Sequence, residues 1–124
     1  MPTSSEIRET IHTYIKMMCD SDIDGIVSLF AEDATAEDPV GGAVQEGIEA
    51  IGKFYGMTAP ALQVELKGPI CVAGNNAAFL LLAQLTMGGN VQYLDATDVM
   101  IFNDEGQITS MRAFWDPSEM RAEP

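Results

Sequence analysis

Apolar and polar positions change their rhythm about halfway along the chain. Up to Tyr55 the apolar residues recur at helical spacing, and from Leu62 onward they recur at the spacing of strands. Ile7, Ile11, Tyr14, Ile15 and Met18 share one helical face, which predicts a helix over residues 6–19 capped by Ser4 or Ser5. That face turns Tyr14 inward with the aliphatics and leaves His12 off the stripe. Asp20 or Ser21 can cap a second short helix, with Ile23, Ile26, Val27, Leu29 and Phe30 as its buried side. Residues 34–40 read as extended, because Pro39 disfavours helical geometry at Asp38, and Gly41-Gly42 then turns the chain. A third helix starts at Gly47 or Ile48 and runs to Tyr55, burying Ile48, Ile51, Phe54 and Tyr55 before Thr58-Ala59-Pro60 ends it.

The second half is punctuated by turns. Gln63-Val64-Glu65-Leu66-Lys67 alternates, Gly68-Pro69 interrupts, and Ile70-Cys71-Val72 resumes. Gly74-Asn75-Asn76 precedes an apolar run over 77–87, and Gly88-Gly89-Asn90 is a hairpin signal. Strands over 91–102 and 107–115 follow, separated by Asn103-Asp104-Glu105-Gly106, and residues 116–124 read as a solvated tail. The predicted fold is therefore α+β, with three N-terminal helices packed on a curved, mostly antiparallel sheet. Such a sheet encloses a cone-shaped interior that can be a plain core or a pocket. The 124 residues suit one domain, spanning 1–124.

Charge narrows the partners. Nineteen acids against six bases give a net charge of -13, which argues against nucleic acid and anionic membrane surfaces, since both need clustered Lys and Arg. A neutral, apolar small molecule is compatible with it, as is simple solubility. Cys19 and Cys71 form no metal or CxxC pattern, so they read as reduced core thiols of a cytoplasmic protein. The opening MPTSSEIRET lacks the charge and apolar run of a signal peptide. The single His12 cannot build a metal cluster, and phosphate-binding glycine loops and nucleophile elbows are absent.

Within this frame three polar residues stand out. Period-2 counting along 91–102 places Asp98 between Ala96 and Met100 on one strand face. An ionised carboxylate buried there without a partner would cost several kcal/mol. It must stay neutral or be paired, and a neutral carboxylic acid is a strong hydrogen-bond donor. The opposite assignment turns Asp98 to solvent and Val91, Tyr93, Asp95, Thr97, Val99 and Ile101 inward. Tyr14 needs a partner for its hydroxyl if buried, and that hydroxyl could equally serve an incoming oxygen. Glu37 and Asp38 are neighbours in an extended segment, so they face opposite ways, one to solvent and one to the interior. A carboxylate is a weak base, suited to a proton already acidified by an adjacent carbonyl.

Tyr14, Glu37-Asp38-Pro39-Val40-Gly41 and Asp98, taken in order, resemble the bacterial delta-5-3-ketosteroid isomerases. The resemblance extends over most of the chain, through Asp24-Gly25-Ile26-Val27, Leu29-Phe30-Ala31, Asp33-Ala34-Thr35, Ile51, Phe54-Tyr55, Val64-Glu65-Leu66 and Ser110-Met111-Arg112-Ala113-Phe114. It implies a fold of the nuclear-transport-factor-like class, a homodimer, and an apolar steroid-like ketone as partner, with no cofactor and no metal. It implies that Asp38 carries a proton from one carbon to another while Tyr14 and protonated Asp98 hold the dienolate oxygen. A carboxylic acid kept neutral by its apolar site is a known device of this enzyme class. Tyr55 matches a supporting tyrosine, whereas the third tyrosine of that network falls on Phe30. Val40, Phe54, Met100, Met111 and Trp115 are the implied pocket wall. Leu81, Ala83 and Leu85 stand where family members carry bulkier aromatics, so a wider or differently shaped cavity is implied.

Two other readings share the scaffold. An epoxide hydrolase or polyketide cyclase would need a different polar set. For the hydrolase this is carboxylate–Arg–carboxylate, and Arg8, Arg112 and Arg121 all fall on polar positions. A non-catalytic small-molecule-binding module would use Tyr14 and Asp98 only to satisfy each other.

Overall fold

The computed structural model describes residues 1–124. Helix α1 (Ser4–Cys19) starts earlier than the apolar stripe indicates, because Thr3 is its cap. The Thr3 hydroxyl accepts from the Glu6 amide at 3.1 Å, and the Glu6 carboxylate accepts from the Thr3 amide at 2.8 Å, a reciprocal capping box. Helix α2 (Ile23–Ser28) is capped by Asp22 rather than Asp20 or Ser21, through the Gly25 amide. Strand β1 (Phe30–Glu37) and the short β2 (Val44–Glu46) then precede helix α3 (Ile48–Thr58). Only two helices thus lie ahead of the sheet in sequence, and α3 extends one turn beyond Tyr55. Strands β3 (Leu62–Leu66), β4 (Cys71–Ala73), β5 (Asn76–Met87), β6 (Asn90–Phe102) and β7 (Ile108–Phe114) complete the chain.

One sheet runs in the order β2-β1-β7-β6-β5-β3, with β4 paired to the start of β5. All neighbours are antiparallel except β1 and β7, which are parallel with Glu37 beside Arg112. The sheet is therefore mixed rather than a simple antiparallel run. β7, last in sequence, lies in the middle of the sheet. The Gly88-Gly89 turn joins β5 to β6, both glycines at positive φ (58° and 83°), where a side chain would be strained.

The helices cover one sheet face. Along β6 the residues Leu94, Ala96, Asp98, Met100 and Phe102 are buried and their odd-numbered neighbours are partly exposed or exposed, so period-2 counting identified the inner face. The main core joins Ile7, Ile11, Ile26, Ile51, Phe79, Met100, Phe102, Ile108 and Met111, among others. A smaller second cluster of Ala83, Leu94 and Ala96 sits apart, packed by Leu62, Val64, Leu85, Trp115 and Met120.

Two expectations fail at the periphery. Neither cysteine is a core thiol: Cys19 is half-buried, its thiol donating to the Val64 carbonyl, and Cys71 is exposed on the solvent side of the edge strand β4. The stretch after β7 is not simply a solvated tail: Arg121 bridges to Tyr93 by two backbone hydrogen bonds and pairs with Asp95, which lays Met120 against the second cluster. No helix is long and apolar enough to cross a membrane.

Candidate active site

Between the two apolar clusters lies a cavity of about 280 Å³, and 16 of its 19 lining residues are hydrophobic. Its polar content is concentrated at one end, where Tyr14, Tyr55, Asp38 and Asp98 come together from α1, α3, the end of β1 and β6.

Asp98 is held by the sheet. It pairs in register with Phe79 on β5 and Ala113 on β7, and the residue is 4% exposed. No protein group hydrogen-bonds its carboxyl, which borders the cavity instead. Burial, and then the nearby charge of Asp38, pushes its pKa well above the ordinary carboxylate value of 3.8. Both causes favour the neutral acid over the carboxylate.

Tyr14 and Tyr55 meet hydroxyl to hydroxyl at 2.7 Å, their rings edge to face at 6.1 Å between centroids. Burial raises the pKa of both well above the ordinary tyrosine value, so both stay protonated. If Tyr55 donates to Tyr14, the Tyr14 proton is free for a bound oxygen. The chain of hydroxyls stops there, because the Phe30 ring packs against Tyr55 at 6.0 Å and has nothing to add.

The extended segment separates Glu37 from Asp38 as the alternation requires. Glu37 turns outward, where the Gly41 amide and then Arg112 hold it below the usual carboxylate range. Asp38, whose peptide bond to Pro39 is cis, turns inward and accepts from the Trp115 indole N–H. Burial raises the Asp38 pKa and the Trp115 bond opposes that rise. The result is a somewhat stronger base than an ordinary aspartate, one oxygen of which is tethered. β7 lies between the two carboxylates: Ala113 pairs with Asp98 on one side and accepts from the Val40 amide on the other. Two strand spacings put their backbones about 10 Å apart, with only the methyl group of Ala113 on the floor between.

Of the wall residues expected from the resemblance, Phe54 and Trp115 line the cavity. Val40, Met100 and Met111 do not. Met100 and Met111 face each other two pairs beyond Asp98 and Ala113, the next pair on the same face, and are fully buried in the main core. Val40 is tied to β7 by its backbone, its amide donating to the Ala113 carbonyl, and takes no part in the lining. The wall uses residues that the sequence reading passed over, notably Met18, Val64, Ala96 and Ala113. Ala96 could have been found from its place on the Asp98 face. The Trp115 contact to Asp38 could not, since it depends on the parallel register of β1 and β7.

A measurable consequence concerns stability. Because the folded state holds the Asp98 proton above the pH at which an unfolded aspartate loses it, Asp98 contributes stability that is fully present below about pH 3.8 and is lost as pH rises through its folded pKa. The isosteric Asp98→Asn variant has no such dependence. Its unfolding free energy, measured by denaturant titration, is therefore expected to gain on the wild type as pH rises above the ordinary aspartate value of 3.8 and through the raised pKa of Asp98. Parallel pH curves for the two proteins would contradict a protonated Asp98.

The model of the SnoaL-like domain matches residues 11–111. A steroid Delta-isomerase of Nocardioides simplex is 39% identical over 122 residues, covering 98% of both chains. Among solved structures, the epoxide hydrolase/cyclase-like enzyme SalBIII, described as acting in pyran ring formation in the polyether salinomycin, superposes with a TM-score of 0.93. It is 30% identical, and the match covers 99% of this chain and 100% of that one. RV0760c of Mycobacterium tuberculosis, solved with estradiol-17beta-hemisuccinate, gives a TM-score of 0.86 at 22% identity over 94% of this chain and 98% of its own. That last likeness speaks to the fold alone.

Proposed function

This chain belongs to the SnoaL-like domain family, in the nuclear-transport-factor-like superfamily, and from that premise we propose that it is a steroid Delta-isomerase, moving a double bond from the 5,6 to the 4,5 position of a 3-ketosteroid. The reading is supported by the 39% identical relative of that name. The observation that carries it is the unpaired, buried Asp98 beside Tyr14, across Ala113 from the basic Asp38, at the closed end of an apolar cavity.

In this mechanism the ketone oxygen accepts from the Tyr14 hydroxyl and the Asp98 carboxyl. The Asp38 carboxylate removes the proton from the carbon between the carbonyl and the alkene. The C–H electron pair moves into the new C=C of a dienolate, and negative charge grows on the oxygen as its two donors tighten. Asp38, now neutral, returns the same proton to the far carbon of the dienolate, and the double bond is left conjugated to the ketone. Trp115 is a positioning residue, holding one Asp38 oxygen so that the other addresses both carbons. The apolar wall excludes water from the dienolate. Following the protein's likeness to this enzyme class, we also read it as a cytoplasmic homodimer; the outward Leu80 and Phe114, 40% and 42% exposed, are apolar surface that a second copy could cover.

A second reading is favoured by the likeness to SalBIII: an epoxide ring closure in which Asp98 protonates the epoxide oxygen while Asp38 accepts a hydroxyl proton. An alkyl hydroxyl is far less acidic than a C–H flanked by a carbonyl and an alkene, so a carboxylate base fits isomerisation better. The hydrolytic variant fits least, since Arg112 points outward to Glu37 and no arginine borders the cavity.

The test is direct. Purified protein mixed with a 5-en-3-one steroid should generate the ultraviolet absorbance of the conjugated enone, saturably in substrate. No conversion of the steroid, together with ring closure of an epoxy alcohol, would transfer the assignment to the cyclase reading.

A further inference from the structure

The cavity is longer than its polar end requires. Asp98 pairs with Phe79, and from there the inward residues of β5 continue through Leu81, Ala83 and Leu85 to Met87, all of which border the cavity. Six residues separate Phe79 from Leu85, about 20 Å of strand at 3.3 Å per residue. A fused four-ring nucleus measures roughly 10 Å from its ketone oxygen to its far ring, with carbon–carbon bonds of about 1.5 Å. A nucleus anchored at Tyr14 and Asp98 therefore ends well short of the rim.

The rim itself is apolar. Met87 from the β5–β6 hairpin and Met57 from the end of α3 both border the cavity, yet they are 65% and 82% exposed. Away from the polar end the cavity offers a single further polar group, Thr58, and its hydroxyl proton is committed to the Phe54 carbonyl at 3.1 Å. The Trp115 N–H is committed to Asp38. An oxygen on the far ring would meet no free donor, whereas a hydrocarbon chain there would cover exposed methionine and leucine surface.

Resting on the isomerase reading, we infer that the preferred substrates are 3-ketosteroids that carry a long hydrocarbon chain on the ring farthest from the ketone, the chain leaving between Met57 and Met87. Nuclei bearing only an oxygen at that ring are the poorer ligands. The chain adds no chemistry. It contributes binding through Leu85 and the two methionines, and it leaves the ketone seated at the two donors.

Binding of non-reacting phenolic steroids, followed by the fluorescence of Trp115, the single tryptophan, tests this without requiring turnover. One ligand carries a hydroxyl on the far ring and the other a branched eight-carbon chain, each used below its solubility limit. At about fourfold per buried methylene, the chain is expected to tighten binding at least tenfold. Leu85→Gln should weaken the chain-bearing ligand at least threefold more than the hydroxylated one. Equal affinities, or an equal loss for both ligands in Leu85→Gln, would overturn the inference while leaving the isomerase reading in place. If neither ligand binds, the steroid reading fails first and this inference fails with it.

Discussion

Asp38→Asn is expected to lower kcat by about 10²–10⁴-fold, the range that a positioned general base contributes, in a protein that still folds. The asparagine carbonyl can accept from the Trp115 N–H as the carboxylate does, so the geometry is kept and only the basicity is lost. The pH profile provides a second signature. In the proposed mechanism isomerisation needs ionised Asp38, and burial raises its pKa above the ordinary 3.8 while Trp115 opposes the rise. kcat/KM should therefore fall as pH drops through an inflection above 3.8. Trp115→Phe removes the opposing hydrogen bond, so the inflection should move to higher pH. The absence of charge at residue 38 should also let Asp38→Asn bind a phenolate-like ligand more tightly than the wild type. A near-normal rate in Asp38→Asn would eliminate Asp38 as the base.

Removing either proposed oxyanion donor is the other large expected effect. Tyr14→Phe and Asp98→Ala should each cost about 10²–10³-fold in kcat, equivalent to about 2.7–4 kcal/mol. KM should move far less, because these hydrogen bonds strengthen mainly as charge develops on the oxygen. Both donors serve one atom. Once one is gone the oxygen leans more on the other, so the combined cost in the double variant should depart from the product of the single costs. Steady-state kinetics on the three variants measures this coupling directly. A loss under tenfold in either single variant, with folding verified by circular dichroism, would exclude that residue from the donor role.

Much of this site is local in sequence and was legible for that reason. Tyr14 follows from a helical stripe, and Asp98 from the alternation of a single strand, both patterns that a dozen residues suffice to reveal. That Glu37 and Asp38 face opposite ways needed only the alternation of extended chain; which of the two turns inward came from the resemblance. What stayed hidden depends on register between distant strands. The Trp115–Asp38 bond joins residues 77 positions apart, and no periodicity encodes a parallel pairing of the first and last strands. Met100 and Met111 show the same limit: their faces were read correctly, but whether a buried face borders a cavity or a filled core depends on how far the helices stand off the sheet at that level. Val40 was placed by resemblance, and it does not border the cavity. At the termini, local chemistry was present but outweighed in the reading. Thr3-Ser4-Ser5-Glu6 already contains the capping box that sets the start of α1, and the polar run after β7 concealed Met120.

The central position of β7 also bears on how the protein is made. Until residues near 115 have left the ribosome, the sheet exists only as two unconnected halves, β2-β1 and β6-β5-β3, with Asp38 on one and Asp98 on the other. A nascent chain can bury hydrophobic surface within each half, but it cannot bring base and acid to either side of Ala113. Sheet closure is thus a long-range event that waits on β7, and the proposed base and acid meet only once that strand is seated.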